Sequence, residues 1–239
     1  MTATLDYSGY KFKGYDELCL RAGTGHQQTI LFIPPLFDEM NRMRRMIVDV
    51  MRLLDKGGVG SILPDLPGTN ESIFPQEGAN LTIWKEALLS CSLTDKRYVA
   101  SFRGGCLLDN FADESCNQIV EKWRFAPAKG SSLLRTMMRT RIASDKEAGV
   151  VTNMTNLSAE AERGNVNLAG NAIGSAMFAE LKTAIPAQST NIRTVQLANN
   201  SQAADAKLPG SALWLRAEPD DDTILSAAIA DDILAWVAV

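Results

Sequence analysis

Tyr98-Val99-Ala100-Ser101-Phe102-Arg103-Gly104-Gly105 reads as a short apolar strand running into a sharp turn. A strand of this kind aims the side chain at the apex of the turn, Arg103, toward a cleft. The residues two before and two after the apex, Ser101 and Gly105, are small, which lets such a turn close against a helix that follows it, expected over Gly104–Ala112.

The flanking sequence supplies the remainder of an alternating pattern. Glu17–Arg21 is strand-like, and Thr29-Ile30-Leu31-Phe32-Ile33 is an apolar run of buried-strand length stopped by Pro34-Pro35. From Asn41 to Lys56, Met43, Met46, Ile47, Val50, Met51 and Leu54 recur at steps of three and four, which predicts one helix ending at Gly57-Gly58. Gly60–Leu63 is the next strand, followed by the turn-rich loop Asp65–Ser72. Leu81–Ser92 is expected to be helical, Arg97–Phe102 a strand, Glu121–Phe125 a strand and Ser131–Ser144 a basic helix. Gly149–Gly170 is small and polar and carries no assignment. Ala172–Ile185 reads as a helix, Asn191–Ala198 and Ala212–Ala217 as strands, and Leu225–Val237 as a closing helix. Strands alternating with helices predict an α/β fold, a mainly parallel central sheet with helices on both faces. One domain over 1–239 is expected, with a reduced cap inserted between about 127 and 186. Ligands of such sheets bind beyond the carboxyl ends of the strands, where Pro34–Asn41, Asp65–Ser72 and Ser101–Gly105 converge.

Composition excludes several partner classes. The 239 residues are 46% hydrophobic and 22% charged, with a net charge of −4 and a pI near 5.2. An acidic chain lacks the general basic face that nucleic acid or an anionic membrane requires. No apolar run reaches the roughly 18 to 20 residues of a membrane span, and the start is not signal-like, so a cytoplasmic location is expected. Cys19, Cys91, Cys106 and Cys116 have no metal-ligand spacing and read as buried thiols. The single histidine, His26, lies in a Gly-rich turn and reads as an exposed loop residue. No metal or cofactor is expected.

Together the elbow, the Asp65-Leu66-Pro67-Gly68-Thr69-Asn70-Glu71-Ser72 loop and Pro34-Pro35-Leu36-Phe37 resemble the α/β-hydrolase superfamily, in which the apex of the elbow carries a nucleophile. Pro35-Leu36-Phe37-Asp38-Glu39-Met40-Asn41-Arg42-Met43-Arg44-Arg45-Met46 is similar to the P-F-x-E-E-M-N-x-x-R-R-M signature of the second type of exosortase A system-associated hydrolases. That resemblance implies a bacterial exopolysaccharide or protein-sorting setting. It also implies an oxyanion loop at Leu36 and Phe37, a further donor at Gly104, and a pocket bordered by Asp38, Glu39, Asn41, Arg44, Arg45, Ser101 and Phe102. This chain departs from the superfamily at all three triad positions. Arg103 stands at the nucleophile position, Asn199-Asn200 follow the strand that would precede the acid, and no histidine follows Arg216.

Arg103 stays protonated and cannot attack a carbonyl. Two readings stand: an internal ion pair with Asp38 or Glu39, or capture of a small anionic ligand. The protein is therefore read as a catalytically degenerate hydrolase fold. The alternatives are an ester or thioester hydrolase with Ser101 or Cys106 as relocated nucleophile and His26 as base, or a protein-interaction module, a homodimer included. Arg135, Arg139 and Arg141 form either a basic lip or a solvated face, and Asp220–Asp222 read as capping charge for the last helix.

Overall fold

The computed structural model describes residues 5–91, 98–111 and 120–238. Its chain opens with an antiparallel hairpin, β1 (Leu5–Phe12) and β2 (Tyr15–Ala22). The two-residue turn at Lys13 and Gly14 has positive φ at both positions, 47° and 87°. That backbone twist suits a two-residue hairpin, and Gly14 adopts it without a Cβ penalty. Then come β3 (Thr29–Ile33), α1 (Asp38–Lys56), β4 (Gly60–Pro64), α2 (Leu81–Ser90), β5 (Tyr98–Phe102) and β6 (Glu121–Phe125). Between that strand and the next one of the central sheet lie α3 (Gly130–Glu147), α4 (Met154–Arg163), the hairpin β7 (Val166–Leu168) and β8 (Asn171–Ile173), and α5 (Ser175–Thr183). The chain closes with β9 (Ile192–Leu197), β10 (Ala206–Leu208) and α6 (Thr223–Val237).

Eight strands form the central sheet in the order β1-β2-β4-β3-β5-β6-β9-β10. Pairing is parallel from β4 through β10 and antiparallel only for β1–β2 and β2–β4. A separate core lies on each face. On one, α1 and α6 cover the sheet, and Met43, Met46, Ile47, Val50, Met51 and Leu54 of α1 are all buried, as their spacing predicts. Each such side chain contributes about 1.5–3 kcal/mol of transfer free energy. On the other face, α2, α3 and α5 bury Trp84, Leu133, Met137, Phe178 and Leu181.

Local structure departs from expectation in several places. No helix spans Gly104–Ala112: a short 3-10 turn covers Arg103–Leu107 and further turns follow to Phe111, while Ala112 lies outside the described residues. Two glycines and a glycine-tight approach to β3 disfavour a regular helix there. Ala212–Ala217 is no strand. A 3-10 turn occupies Leu213–Leu215, because β9 and β10 already complete that edge of the sheet. Ala172–Ile185 begins as β8 and becomes helical only from Ser175, after Gly174. The polar stretch Gly149–Gly170 contains α4, capped by the Asn153 side chain, and β7. Arg97, Ser92 and Cys116 lie outside the described residues.

Candidate functional site

Arg103 follows β5 directly and has φ 54°. A left-handed backbone at a bulky residue costs about 1–2 kcal/mol, so the surroundings must enforce it. They do so by close contact. A Cβ on Gly105 would lie 2.3 Å from the Pro34 carbonyl oxygen and 2.8 Å from that of Ile33, so the turn is pressed against the end of β3. Ser101 is fully buried. Its hydroxyl donates to Asp109 Oδ2 at 3.0 Å.

The Arg103 guanidinium is held on three sides. Nε and Nη2 donate to Glu39 Oε2 at 3.2 Å and Oε1 at 2.9 Å, a two-pronged ion pair. Nη1 donates to the Ala126 carbonyl at 2.9 Å. The Trp214 ring lies 4.2 Å from the guanidinium carbon. Side-chain exposure is 16% for Arg103 and 12% for Glu39, so the pair is shielded without being dry. Three of the five guanidinium N–H groups are thus engaged and two are left.

Of the two carboxylates expected near Arg103, Glu39 takes the pair, and Asp38 accepts instead from Asn171 Nδ2 at 3.0 Å. Phe37, before α1, has φ 58°, a second strained residue on the same sheet edge. Arg44 donates to buried Asp65 at 3.1 Å, whereas Arg45 is exposed and pairs with Asp49 and Asp221. Phe102 is buried in the α1/α6 core, against Phe32 and Trp123. Above Gly104, a Cβ would meet Leu133 Cδ1 at 2.7 Å and Leu36 Cγ at 3.0 Å, so leucine side chains fill that space. Arg135 and Arg139 are exposed, and Arg141 binds Asp145 and the Asn167 carbonyl. Asp222 caps α6 by accepting from Leu225 N–H.

Ser101 and Cys106 touch, the Ser101 hydroxyl donating to Cys106 Sγ at 3.3 Å, but His26 does not join them. Cys106 is wholly buried, and its thiol is pushed up to about 12 by burial, reinforced by the negative charge of Asp109. Asp109 is clasped by Arg124 through two bonds of 2.6 Å. His26 is half-buried rather than exposed, and its Nε2 lies 2.9 Å from Asp55 Oδ1. It precedes β3, whose last residue Ile33 pairs with Ser101. A five-residue strand spans about 13 Å, so His26 sits at the opposite edge of the sheet, far beyond a bridging water.

Two cavities reach residues at the carboxyl edge, the larger one running along one face of β9 from Ile192 to Gln196. The larger, about 880 Å³, is bordered by Arg103, Arg124, Lys129, Ser132, Gln196 and Asn200, among others. No carboxylate among the described residues lines it. Where an acid would follow β9, Gln196, Asn200 and Gln202 bond to one another as neutral amides. The second, about 340 Å³, lies between Phe37, the Gly68–Asn70 loop, Trp84 and β8. Among the described residues there is no group of three metal-ligating side chains, and no helix is long and apolar enough to cross a membrane.

Sequence reasoning did not foresee Trp214, the Ala126 carbonyl or the Asn171–Asp38 bond. Trp214 lies two residues before Arg216, and no local pattern in the sequence marked it.

No protein-family model matches the chain, and no curated protein matches it in sequence. Solved structures do match. Est1E from Butyrivibrio proteoclasticus, determined with ferulic acid bound, is 14% identical over 97% of this chain and 100% of its own, with a TM-score of 0.61. Mouse alpha/beta hydrolase domain-containing protein 10 is 14% identical over 98% and 97%, with a TM-score of 0.58. The thioesterase domain from the curacin biosynthetic pathway is 14% identical over 99% and 100%, with a TM-score of 0.55. Strand order, parallel pairing and these full-length superpositions agree: the chain has the α/β-hydrolase fold.

Proposed function

We propose that this protein is a catalytically degenerate α/β-hydrolase-fold protein, whose elbow is kept as a structural corner and whose larger cavity takes a small anionic ligand. The observation that carries this reading is the engagement of Arg103, at φ 54°, by Glu39, the Ala126 carbonyl and Trp214. A group so held can neither attack nor relay a proton. Arg103 and Lys129 border a cavity that no carboxylate among the described residues lines, which favours anions. The resemblance of residues 35–46 to the exosortase-associated hydrolases suggests a bacterial exopolysaccharide or sorting context, with the protein working in the cytoplasm.

The test is a turnover screen on short and medium p-nitrophenyl esters and acyl thioesters, with Ser101→Ala and Cys106→Ala alongside wild type. Wild type is expected at the blank rate. In parallel, inorganic phosphate and citrate are titrated while the Trp214 indole resonance is followed, and a saturable shift that Lys129→Ala weakens is expected. Turnover abolished by either substitution would overturn the degenerate reading, and absence of any anion-induced shift would overturn the ligand.

A further inference from the structure

The second cavity has a hydrogen-bonding inventory that specifies a ligand of its own. Its polar lining consists of Asn41, Thr69, Asn70, Gln76 and Asn171, and no charged side chain among the described residues lines it. The internal bonds fix which end of each carboxamide is already used. Asn70 spends Nδ2 on Asp65 and Asn171 spends Nδ2 on Asp38 and the Leu168 carbonyl, so both keep Oδ1 as an acceptor. Gln76 spends Oε1 on the Ala172 N–H and keeps Nε2 as a donor. The Asn41 side chain has no hydrogen bond among the described residues and offers both. Phe37, Trp84 and Ile173 supply the apolar part of the wall.

A ligand matching this set donates to at least two oxygens and accepts from at least one N–H, and no charged side chain among the described lining residues is there to pair an ion. Carboxylates only accept, phosphates mainly accept, and both would set negative oxygens against Asn70 and Asn171. Ammonium groups only donate. Hydroxyl groups do both. We infer that this cavity is a binding site for a neutral, hydroxyl-rich ring, a sugar, seated between the amide cluster and the Phe37/Trp84 wall. The site is separate from the cationic cavity at Arg103 and does not depend on whether the elbow is catalytic. One strained residue, Phe37 (φ 58°), lines it. Strain held by the surrounding structure is a recurrent feature of ligand clamps.

The experiment is ligand-observed saturation-transfer NMR on the full chain, with methyl β-glucoside, methyl β-galactoside and N-acetylglucosamine as probes at up to about 10 mM, the range of a weak single-ring site. At least one probe is expected to bind saturably. Gln76→Glu keeps the acceptor for Ala172 N–H and replaces the free donor by a charged acceptor, and about a tenfold loss is expected. Asn41→Ala removes an exposed group with no internal bond, and a smaller loss is expected with an unchanged melting curve. Lys129→Ala, in the other cavity, is expected to bind as wild type does. No binding by any probe, or binding untouched by Gln76→Glu and Asn41→Ala, would sink the proposal.

Discussion

Breaking the Arg103–Glu39 pair is the most direct probe of the elbow. An exposed ion pair contributes about 0.2–1 kcal/mol, and removing one partner of a fully buried pair costs about 3–5 kcal/mol. With exposures of 16% and 12%, and with two-pronged geometry, this pair lies between those limits. A coupling of about 2 kcal/mol is expected from a cycle of Glu39→Ala, Arg103→Ala and the double variant. Arg103 keeps the Ala126 carbonyl and the Trp214 ring when Glu39 is removed, which holds the value below the buried limit. Unfolding entropy of about 2.1 cal/mol/K per residue over 239 residues gives about 0.5 kcal/mol/K, so 2 kcal/mol corresponds to about 4 °C. Urea unfolding of the four proteins measures the coupling. Because the pair is shielded, most of it is expected to survive at about 0.5 M NaCl, where exposed pairs fade. A coupling below about 0.5 kcal/mol, or one abolished by salt, would mean that the pair is a surface contact and that Arg103 is free for other work.

Two further outcomes follow from burial and backbone contact. Gly105→Ala would drive a Cβ to 2.3 Å from the Pro34 carbonyl, a backbone atom that cannot swing aside, so a loss of about 3 kcal/mol or more is expected in chemical denaturation, and a neutral result would contradict the turn geometry. Glu17 is buried with Oε2 unpartnered and Oε1 accepting from Ser72; burial raises its pKa, the Ser72 bond opposes this, and Asp65 adds to the rise. The folded state therefore binds the proton more tightly, and stability falls as pH climbs from the ordinary carboxylate value through the raised one. Glu17→Gln is expected to match wild type near pH 4 and to melt higher at pH 7, whereas a gap independent of pH would contradict this account.

What the sequence made legible was whatever repeats locally. The stripe Met43-Met46-Ile47-Val50-Met51-Leu54 identifies α1 because burial on one face imposes a 3.6-residue period. Ser101 and Gly105 mark the elbow because a close backbone approach leaves room only for small side chains. Of the opening hairpin the sequence showed only the second strand; the first is marked by Tyr10 and Phe12, which alternate inward up to the Lys13-Gly14 turn. The partners of Arg103 were only half legible. A carboxylate two residues from Phe37 can be inferred from charge, but a carbonyl at Ala126 and a ring at Trp214 depend on how β6 and the segment before α6 arrive at one point. No local pattern encodes that meeting.

The first turn of α1 connects the elbow, the β8 strand and the uncharged cavity. Successive helical residues project about 100° apart, so four in a row face four different neighbours. Asp38 reaches the β8 strand through Asn171, Glu39 reaches the elbow through Arg103, Met40 is buried, and Asn41 opens into the uncharged cavity. Their two carboxylates also complement the positive end of the helix, which would otherwise face Arg42, Arg44 and Arg45 unaided. Asp38-Glu39-Met40-Asn41 is thus a junction in which each side chain serves a separate structure. The strained Phe37 aims that junction. With φ at 58°, the chain turns out of the Pro34-Pro35 segment so that the helix starts with Glu39 beside Arg103, and a relaxed residue there would rotate all four contacts together.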